Sequence, residues 1–341
     1  MNFHREQFFE CGACVALDAH TIVLGVGPMR WSSSAEEGSF YFPDFFLEEK
    51  TPWCKPKSYH IMSLEEFREF LGKGESQVLS WKPGDKTLYE KQFLDLQSAI
   101  ESRNLRKGVL YSFQRATAKV QVGAYLRSLA SAASQNGLHL FGFWDAKQGM
   151  LGATPEVLFS LTEDFSKLQT MAVAGSARGR LDRDSKLIEE HNFVIEGIKE
   201  SLSLIGECVA GATKPRSFGE LSHFVTPITA CLRAKIPFAS IVSILHPTPA
   251  LGGYPKELAK DWLRTVAAEI PRGRYGAPVG VITGSCASCL VAIRGIQWEG
   301  SEIQMGAGGG LVQKSTFAQE WEEIQWKWHA IEASLTHLST K

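Results

Sequence analysis

Close to the C-terminus the segment GAGGGLVQKSTFAQEWEEIQWK carries Glu320, Glu323 and Lys327. Their spacing brings them onto one face of a helix. If that face is solvated, it amounts to an i,i+4 Glu–Lys pair worth a few tenths of a kcal/mol. The glycines just before it suggest more, because they let backbone N–H groups approach an anion closely. DSKLIEEHNFV repeats the pairing with Lys186 and Glu190, beside His191, and surface pairing is again the plain alternative. If each helix gives a carboxylate to one cavity, Glu190 and Glu323 would suit Mg²⁺, which takes oxygen ligands, keeps waters and bridges to anions. Gly175 and Ser176 end the apolar run in MAVAGSARGR. They offer backbone donors to a carboxylate, or form a turn. Arg294 stands inside the apolar run LVAIRG. A strand-interior arginine against a buried face is usually paired, often with a ligand carboxylate. Together these residues describe a small-molecule site. Mg²⁺ would be held by Glu190 and Glu323, the expected anion donors are Gly175, Ser176, Gly308, Arg294 and Lys327, and the implied ligand carries more than one carboxylate.

Several elements must position these groups. LYEKQFLDLQSAIESRNL, AYLRSLASAASQ, DSKLIEEHNFVIEGIKESLSLI, PKELAKDWLRTVAAEI and AQEWEEIQWKWHAIEASLTHL have apolar residues at helical spacing. KGVLYSF, APVGVITG, SCLVAIRGIQW and SEIQMGAGGGLV read as strands, and LHLFGFWD with GMLGATPEVLFSL as the two strands of a hairpin. Strands come in runs without regular βαβ alternation, which predicts an α+β fold with antiparallel sheets. LHPTPALGGYP, residues 245–255, has three prolines and adjacent glycines. It is neither a helix interior nor a central strand. Leu245, His246 and Leu251 make it a stiff, partly apolar loop that holds something in place.

The chain has 341 residues, 44% of them hydrophobic, and a formal net charge of −1. It can bury a sizeable core, and it lacks the basic footprint of a nucleic-acid binder. No apolar run reaches the roughly 18 residues of a membrane span. The N-terminus lacks the basic-then-apolar order of a signal peptide. A cytoplasmic location is expected, with the seven cysteines mostly free thiols. Cys11/Cys14 and Cys286/Cys289 have C-x-x-C spacing that zinc could use. Both pairs run into apolar segments rather than polar knuckles, so zinc is not expected.

LGATPEVLF, AVAGSARGR, DSKLIEEHNFVIEGI, LHPTPALGGYP, PRGRYGAPVG, AIRG, GAGGGLV and EWEEIQWK occur here in one order. In that order they resemble chorismate-utilising enzymes, the family of anthranilate synthase component I, aminodeoxychorismate synthase component I, isochorismate synthase and salicylate synthase. The resemblance implies one large domain of two packed antiparallel sheets with helices outside. Residues 1–87 would be a variable part completing the sheets, and 88–335 the catalytic region. It implies Mg²⁺-dependent binding of chorismate in a buried cleft. Glu190 and Glu323 fall at metal positions, with Glu320 beside them holding a metal-bound water. Gly175, Ser176, Arg294, Gly308 and Lys327 fall at substrate-carboxylate positions. The proline-rich loop would wall the substrate ring, with His246 near the substrate.

Two positions separate the branches. Lys107 in LRKGVLYSF resembles the lysine that activates water in isochorismate and salicylate synthases, where amine-adding members usually carry glutamine. Ala174 stands where aminodeoxychorismate synthases commonly carry a nucleophilic lysine. The resemblance therefore implies an isochorismate synthase, with salicylate synthase, which uses the same base and then eliminates pyruvate, as the first alternative and anthranilate or aminodeoxychorismate synthase component I behind it. Water adds at ring C2 and the C4 hydroxyl departs, with Lys107 as base and Glu156 as acid. Such a lysine needs a lowered pKa and such a glutamate a raised one. No obligatory glutamine amidotransferase is expected. Menaquinone, a siderophore and salicylate are all open as the pathway fed.

Overall fold

The computed structural model describes residues 5–102, 105–179, 181, 184–284 and 286–336. Arg103, Asn104, Ser285, His337 and Leu338, which fall in segments expected to be regular, lie outside the described residues. The chain opens with α1 (Arg5–Glu10), β1 (Gly12–Ala16), β2 (Thr21–Ser32), β3 (Ser39–Tyr41), β4 (Trp53–Ser63), α2 (Leu64–Leu71) and α3 (Lys86–Ser102). It continues through β5 (Lys107–Thr117), α4 (Val122–Asn136), β6 (His139–Trp144), β7 (Gln148–Thr154), β8 (Val157–Leu161), β9 (Lys167–Arg178) and α5 (Ser185–Ser203). Next come β10 (Gly206–Ala210), β11 (Lys214–Phe218), β12 (Leu221–Leu232), α6 (Phe238–Leu245), β13 (Gly253–Tyr254) and α7 (Lys256–Glu269). The last elements are β14 (Pro278–Ile282), β15 (Ala287–Val291), β16 (Gly295–Glu299), β17 (Glu302–Leu311) and α8 (Phe317–Thr336).

Every pairing between these strands is antiparallel. One sheet runs β13–β5–β17–β16–β7–β6–β1–β2–β4. The other runs β3–β14–β15–β8–β9–β12, with β10 and β11 on the far flank of β12. They join at one seam, β3–β4, through Phe40↔Cys54 and Tyr41↔Trp53. A cluster including Val15, Phe40, Phe141, Phe143, Val279 and Leu290 draws buried side chains from both sheets, so the sheets pack face to face. Helices cover the outside: α3 and α7 on β5, α8 on β17, α5 on β9. A capping box between Ser63 and Glu66 starts α2 directly at the end of β4.

Two expected strands are each broken in two. GMLGATPEVLFSL splits at Pro155–Glu156 into β7 and β8, which pair in different sheets. Proline cannot donate to a ladder, which favours the break there. SCLVAIRGIQW splits after Val291 into β15 and β16, again in different sheets. Arg294 is therefore not strand-interior; it sits at this corner with φ 57°. The two corners lie side by side: Val291 N–H donates to Glu156 O at 3.1 Å, and Ala153 N–H to Arg294 O at 3.1 Å. They place a carboxyl and a guanidinium where the sheets diverge.

Residues 206–232, given no element in the sequence reading, form β10, β11 and β12. Pro227 falls opposite the gap between β10 and β11, where β12 has no ladder partner on that flank. Each C-x-x-C pair sends one cysteine into the core. Cys14 and Cys289 are fully buried in the core, their thiols pushed up by burial. Among the described residues no three His, Cys, Asp or Glu side chains form a metal-holding group.

Candidate active site

Between the sheets lies a cleft with about 740 Å³ of empty space, part of it open to solvent. That is the scale of a small-molecule site. Glu156, Gly175, Ser176, Glu190, Arg294, Gly308 and Lys327 line it. Lys107 and Glu323 are not in the lining but pair with residues that are. Lys107 Nζ lies 3.0 Å from Glu190 Oε1, and Glu323 Oε1 lies 2.7 Å from Lys327 Nζ.

Strand β17 explains how these charges come together. It pairs with β5 in register from Glu302 to Leu311, so Lys107 leaves the sheet beside its end. A Cβ on Gly310 would lie 2.4 Å from both Glu190 Oε1 and Lys107 Cε. A Cβ on Gly309 would lie 3.1 Å from Glu320 Oε2 and 3.8 Å from Glu323 Oε1. The glycines therefore make room for three carboxylates from α5 and α8. Each carboxylate has its own lysine: Lys107 on Glu190, Lys186 on Glu320, and Lys327 on Glu323. Lys327 also donates to Gly308 O at 2.6 Å. The plain alternative of solvated pairs does not hold: Lys186 pairs with Glu320 rather than with Glu190, and both are buried, 9% and 0% exposed.

As they stand, each of these carboxylates is paired with a lysine and no three of them form a metal-holding group among the described residues, yet their donor type suits a hard divalent cation. The donors are carboxylate oxygens, which suit Mg²⁺. Glu320 Oε2 is buried without a hydrogen-bond partner. Burial, with Glu323 beside it, raises the Glu320 carboxyl above the usual range. A cation would relieve both conditions.

At the other end of the cleft, β9 meets β12 with a bulge: Ser176 faces His223, Ala174 faces Phe224, and Gly175 is the extra residue. Gly175 has φ 70°, a conformation glycine adopts without strain. Arg294 Nη1 donates to Phe218 O at 3.0 Å and Nη2 to His223 Nε2 at 2.7 Å. A guanidinium only donates, so His223 carries its proton on Nδ1 and offers it to Ser176 Oγ, 3.2 Å away. Burial, then Arg294 and Lys327, holds the His223 pKa well below its ordinary value. The imidazole is neutral and fixes Ser176. Sequence reading missed His223 because its strand carried no recognised pattern. It also missed Arg272 and Tyr275, which line the cleft from within PRGRYGAPVG.

Glu156 is 5% exposed, and burial pushes its carboxyl up to about 7 against the pull of Lys107 and Lys327. His246 corrects an expectation. It lies outside the cleft lining; its Nε2 donates to Phe45 O at 2.7 Å and its ring packs on Phe45. It caps the C-terminal end of α6 at the start of the loop, where it reaches the N-terminal segment instead of the cleft. Burial lowers its pKa to about 3, so it stays neutral. The proline-rich loop does reach the cleft, through Ala250 and Leu251.

A family profile described as "Chorismate binding enzyme" matches residues 58–336. The isochorismate synthase MenF of Haemophilus influenzae is 30% identical over 243 residues, covering 67% of this chain and 56% of that protein. The salicylate biosynthesis isochorismate synthase of Pseudomonas aeruginosa is 28% identical over 301 residues, covering 82% of this chain and 62% of that protein. This chain thus spans under two thirds of the length of either relative. The solved structure of MenF, the menaquinone-specific isochorismate synthase from Escherichia coli, superposes with a TM-score of 0.78 at 18% identity, covering 97% of this chain and 89% of that one. The likeness extends across both sheets, and with the profile match over most of the sequence it places this chain in the chorismate-binding enzyme family.

Proposed function

We propose that this chain is an isochorismate synthase that adds water at ring C2 of chorismate and expels the C4 hydroxyl. The observation that carries the reading is the burial of Glu156 and Lys107 at one cleft. Glu156 is held near neutrality inside the cleft, and Lys107 is fully buried against Glu190 at its edge. A general acid at pH 7 needs its pKa near 7, and burial supplies that for Glu156. Lys107 Nζ lies 3.0 Å from Glu190 Oε1 without a partner in hydrogen-bond geometry, and as the base it would take the proton of the attacking water.

Glu190 and Glu323 would hold Mg²⁺, with Glu320 adjacent. When bound, the ion neutralises the ring carboxylate. The remaining steps belong to the chain. Gly175 and Ser176 present donors to that carboxylate, with Ser176 turned by His223. Arg294, Gly308 and Lys327 complete the anionic end. Leu251 and Ala250 shield the ring from water. Ala174 leaves no amine nucleophile in the AGS segment, and Lys107 stands where amine-adding relatives usually carry glutamine.

The test is to incubate the protein with chorismate and Mg²⁺ and separate the products. Isochorismate supports the reading. Salicylate with pyruvate, anthranilate when ammonium is present, or unchanged chorismate each contradicts it. EDTA should stop the reaction and Mg²⁺ restore it; full activity in metal-free buffer would remove the metal assignment.

A further inference from the structure

Lys256 lies outside the cleft lining, yet it holds the loop that walls the cleft. That loop runs from the end of α6 at Leu245 to the start of α7 at Lys256. Its Ala250 and Leu251 line the cleft. Within it, the N–H groups of Leu251 and Gly252 donate to Thr248 O at 3.0 and 2.9 Å. Its far end joins a sheet: Val109 N–H donates to Gly252 O at 3.1 Å, and Tyr254 is the register partner of Lys107. Lys256 reaches across the base of the loop, where its Nζ donates to Ile244 O at 2.7 Å and to Ser243 O at 3.4 Å. One side chain thus ties the helix before the loop to the helix after it.

A cation at the first residue of a helix stands at its unfavourable end, but the long side chain carries the charge to the last carbonyls of α6, where a cation is favoured. The charged groups acting on this half-buried amine are Lys260 and Glu257, both on α7. Burial, then Lys260, lowers its pKa from the ordinary 10.5 to about 8, against the pull of Glu257. At pH 7.5 about a quarter of such amines are neutral, against about a thousandth of ordinary lysines. The neutral amine is the nucleophile. We propose that Lys256 is an acylation site that clasps the cleft-walling loop, and that its modification by an acyl phosphate loosens the loop. Nζ attacks the acyl carbonyl carbon and an amide C–N bond forms. The bond from that carbon to the phosphate oxygen breaks, phosphate departs, and the amine proton goes to water. The amide has no charge to offer the α6 carbonyls and a bulkier head to place among them. The clasp stands on the geometry; its consequence for turnover rests on the functional reading above.

Acetyl phosphate is the probe. Wild-type protein is treated with it at pH 7.5, and the modified lysines are followed by peptide mass spectrometry. Lys256 should be acetylated about tenfold or more faster than the exposed Lys199 and Lys235, burial offsetting part of its larger neutral fraction. An equal or lower rate overturns the modification site. Hydrogen exchange reads the clasp without turnover. In Lys256→Gln the Leu251 and Gly252 amides should exchange about tenfold faster, the usual scale for losing charge-assisted hydrogen bonds. Lys256→Arg keeps a cation for the same carbonyls and should stay near the wild-type rates. Unchanged exchange in folded Lys256→Gln, or an equal change in both variants, overturns the clasp. If Lys256→Gln does not fold, acetylated wild type replaces it, and unchanged exchange there overturns the proposal. With chorismate, kcat/KM should fall about fivefold or more in Lys256→Gln; an unchanged value overturns the link from loop to turnover. Failure of the wild type to convert chorismate would instead sink the functional reading, with acetylation and exchange still measurable.

Discussion

Glu156 shows what burial does at the scale of single residues. Glu156 rises from an ordinary 4.5 to about 7 because the fold withdraws it from water. The protonated form, which donates, predominates below that value. The alkaline limb of kcat should therefore fall as pH rises through about 7. Glu156→Gln keeps the shape and cannot donate; kcat should drop ~10²-fold or more and lose that limb, with chorismate affinity nearly unchanged. Wild-type turnover in this variant would make Glu156 only a corner residue between β7 and β8. Lys107→Arg tests the base. Its guanidinium keeps the charge but stays protonated at working pH. Steady-state kinetics should find it almost as inactive as Lys107→Ala, whereas substantial rescue would reduce Lys107 to an electrostatic attractor.

At the scale of elements, β17 provides the space in which the charges meet. Gly310→Ala would drive a methyl against Glu190 and Lys107. Both contacts are side-chain ends, yet both are buried, so the pair must part. We expect overpacking of about 1–3 kcal/mol in urea denaturation and a loss of kcat much larger than that destabilisation would cause. Unchanged kcat would mean that the Lys107–Glu190 geometry is not needed. The amphipathic helices were legible in the sequence, since their apolar spacing is local. The broken strands were not. Both halves of GMLGATPEVLFSL and of SCLVAIRGIQW are apolar and buried, so each run reads as one strand; the corners are set by pairing with distant strands. β11 was illegible for the opposite reason. Its KPRSF is exposed except at Phe218, and register against β12 alone makes it a strand. The carboxylates were found from helix spacing, but their lysine partners could be recognised as buried only once α5, α8 and β17 were assembled.

Across the whole molecule, the aromatic-rich N-terminal part does more than fill an edge. β1 lies between β2 and β6, and β3 and β4 form the seam between the sheets. Phe45 holds Arg272 under its ring while its carbonyl accepts a hydrogen bond from His246 Nε2. His246→Leu should leave that carbonyl unsatisfied and destabilise the fold by about 1–3 kcal/mol. Thermal denaturation should register this, and kcat should stay close to wild type; a lost kcat at unchanged stability would put His246 back at the substrate. The central claim, water addition at C2 by a cleft built between two sheets, is tested most directly with isotope. Chorismate and Mg²⁺ are incubated with the protein in H₂¹⁸O, and the product is read by mass spectrometry and NMR. Addition of water at C2 yields isochorismate carrying ¹⁸O in its C2 hydroxyl and none elsewhere. Isochorismate without the label at C2, or a labelled product of another kind, would contradict it.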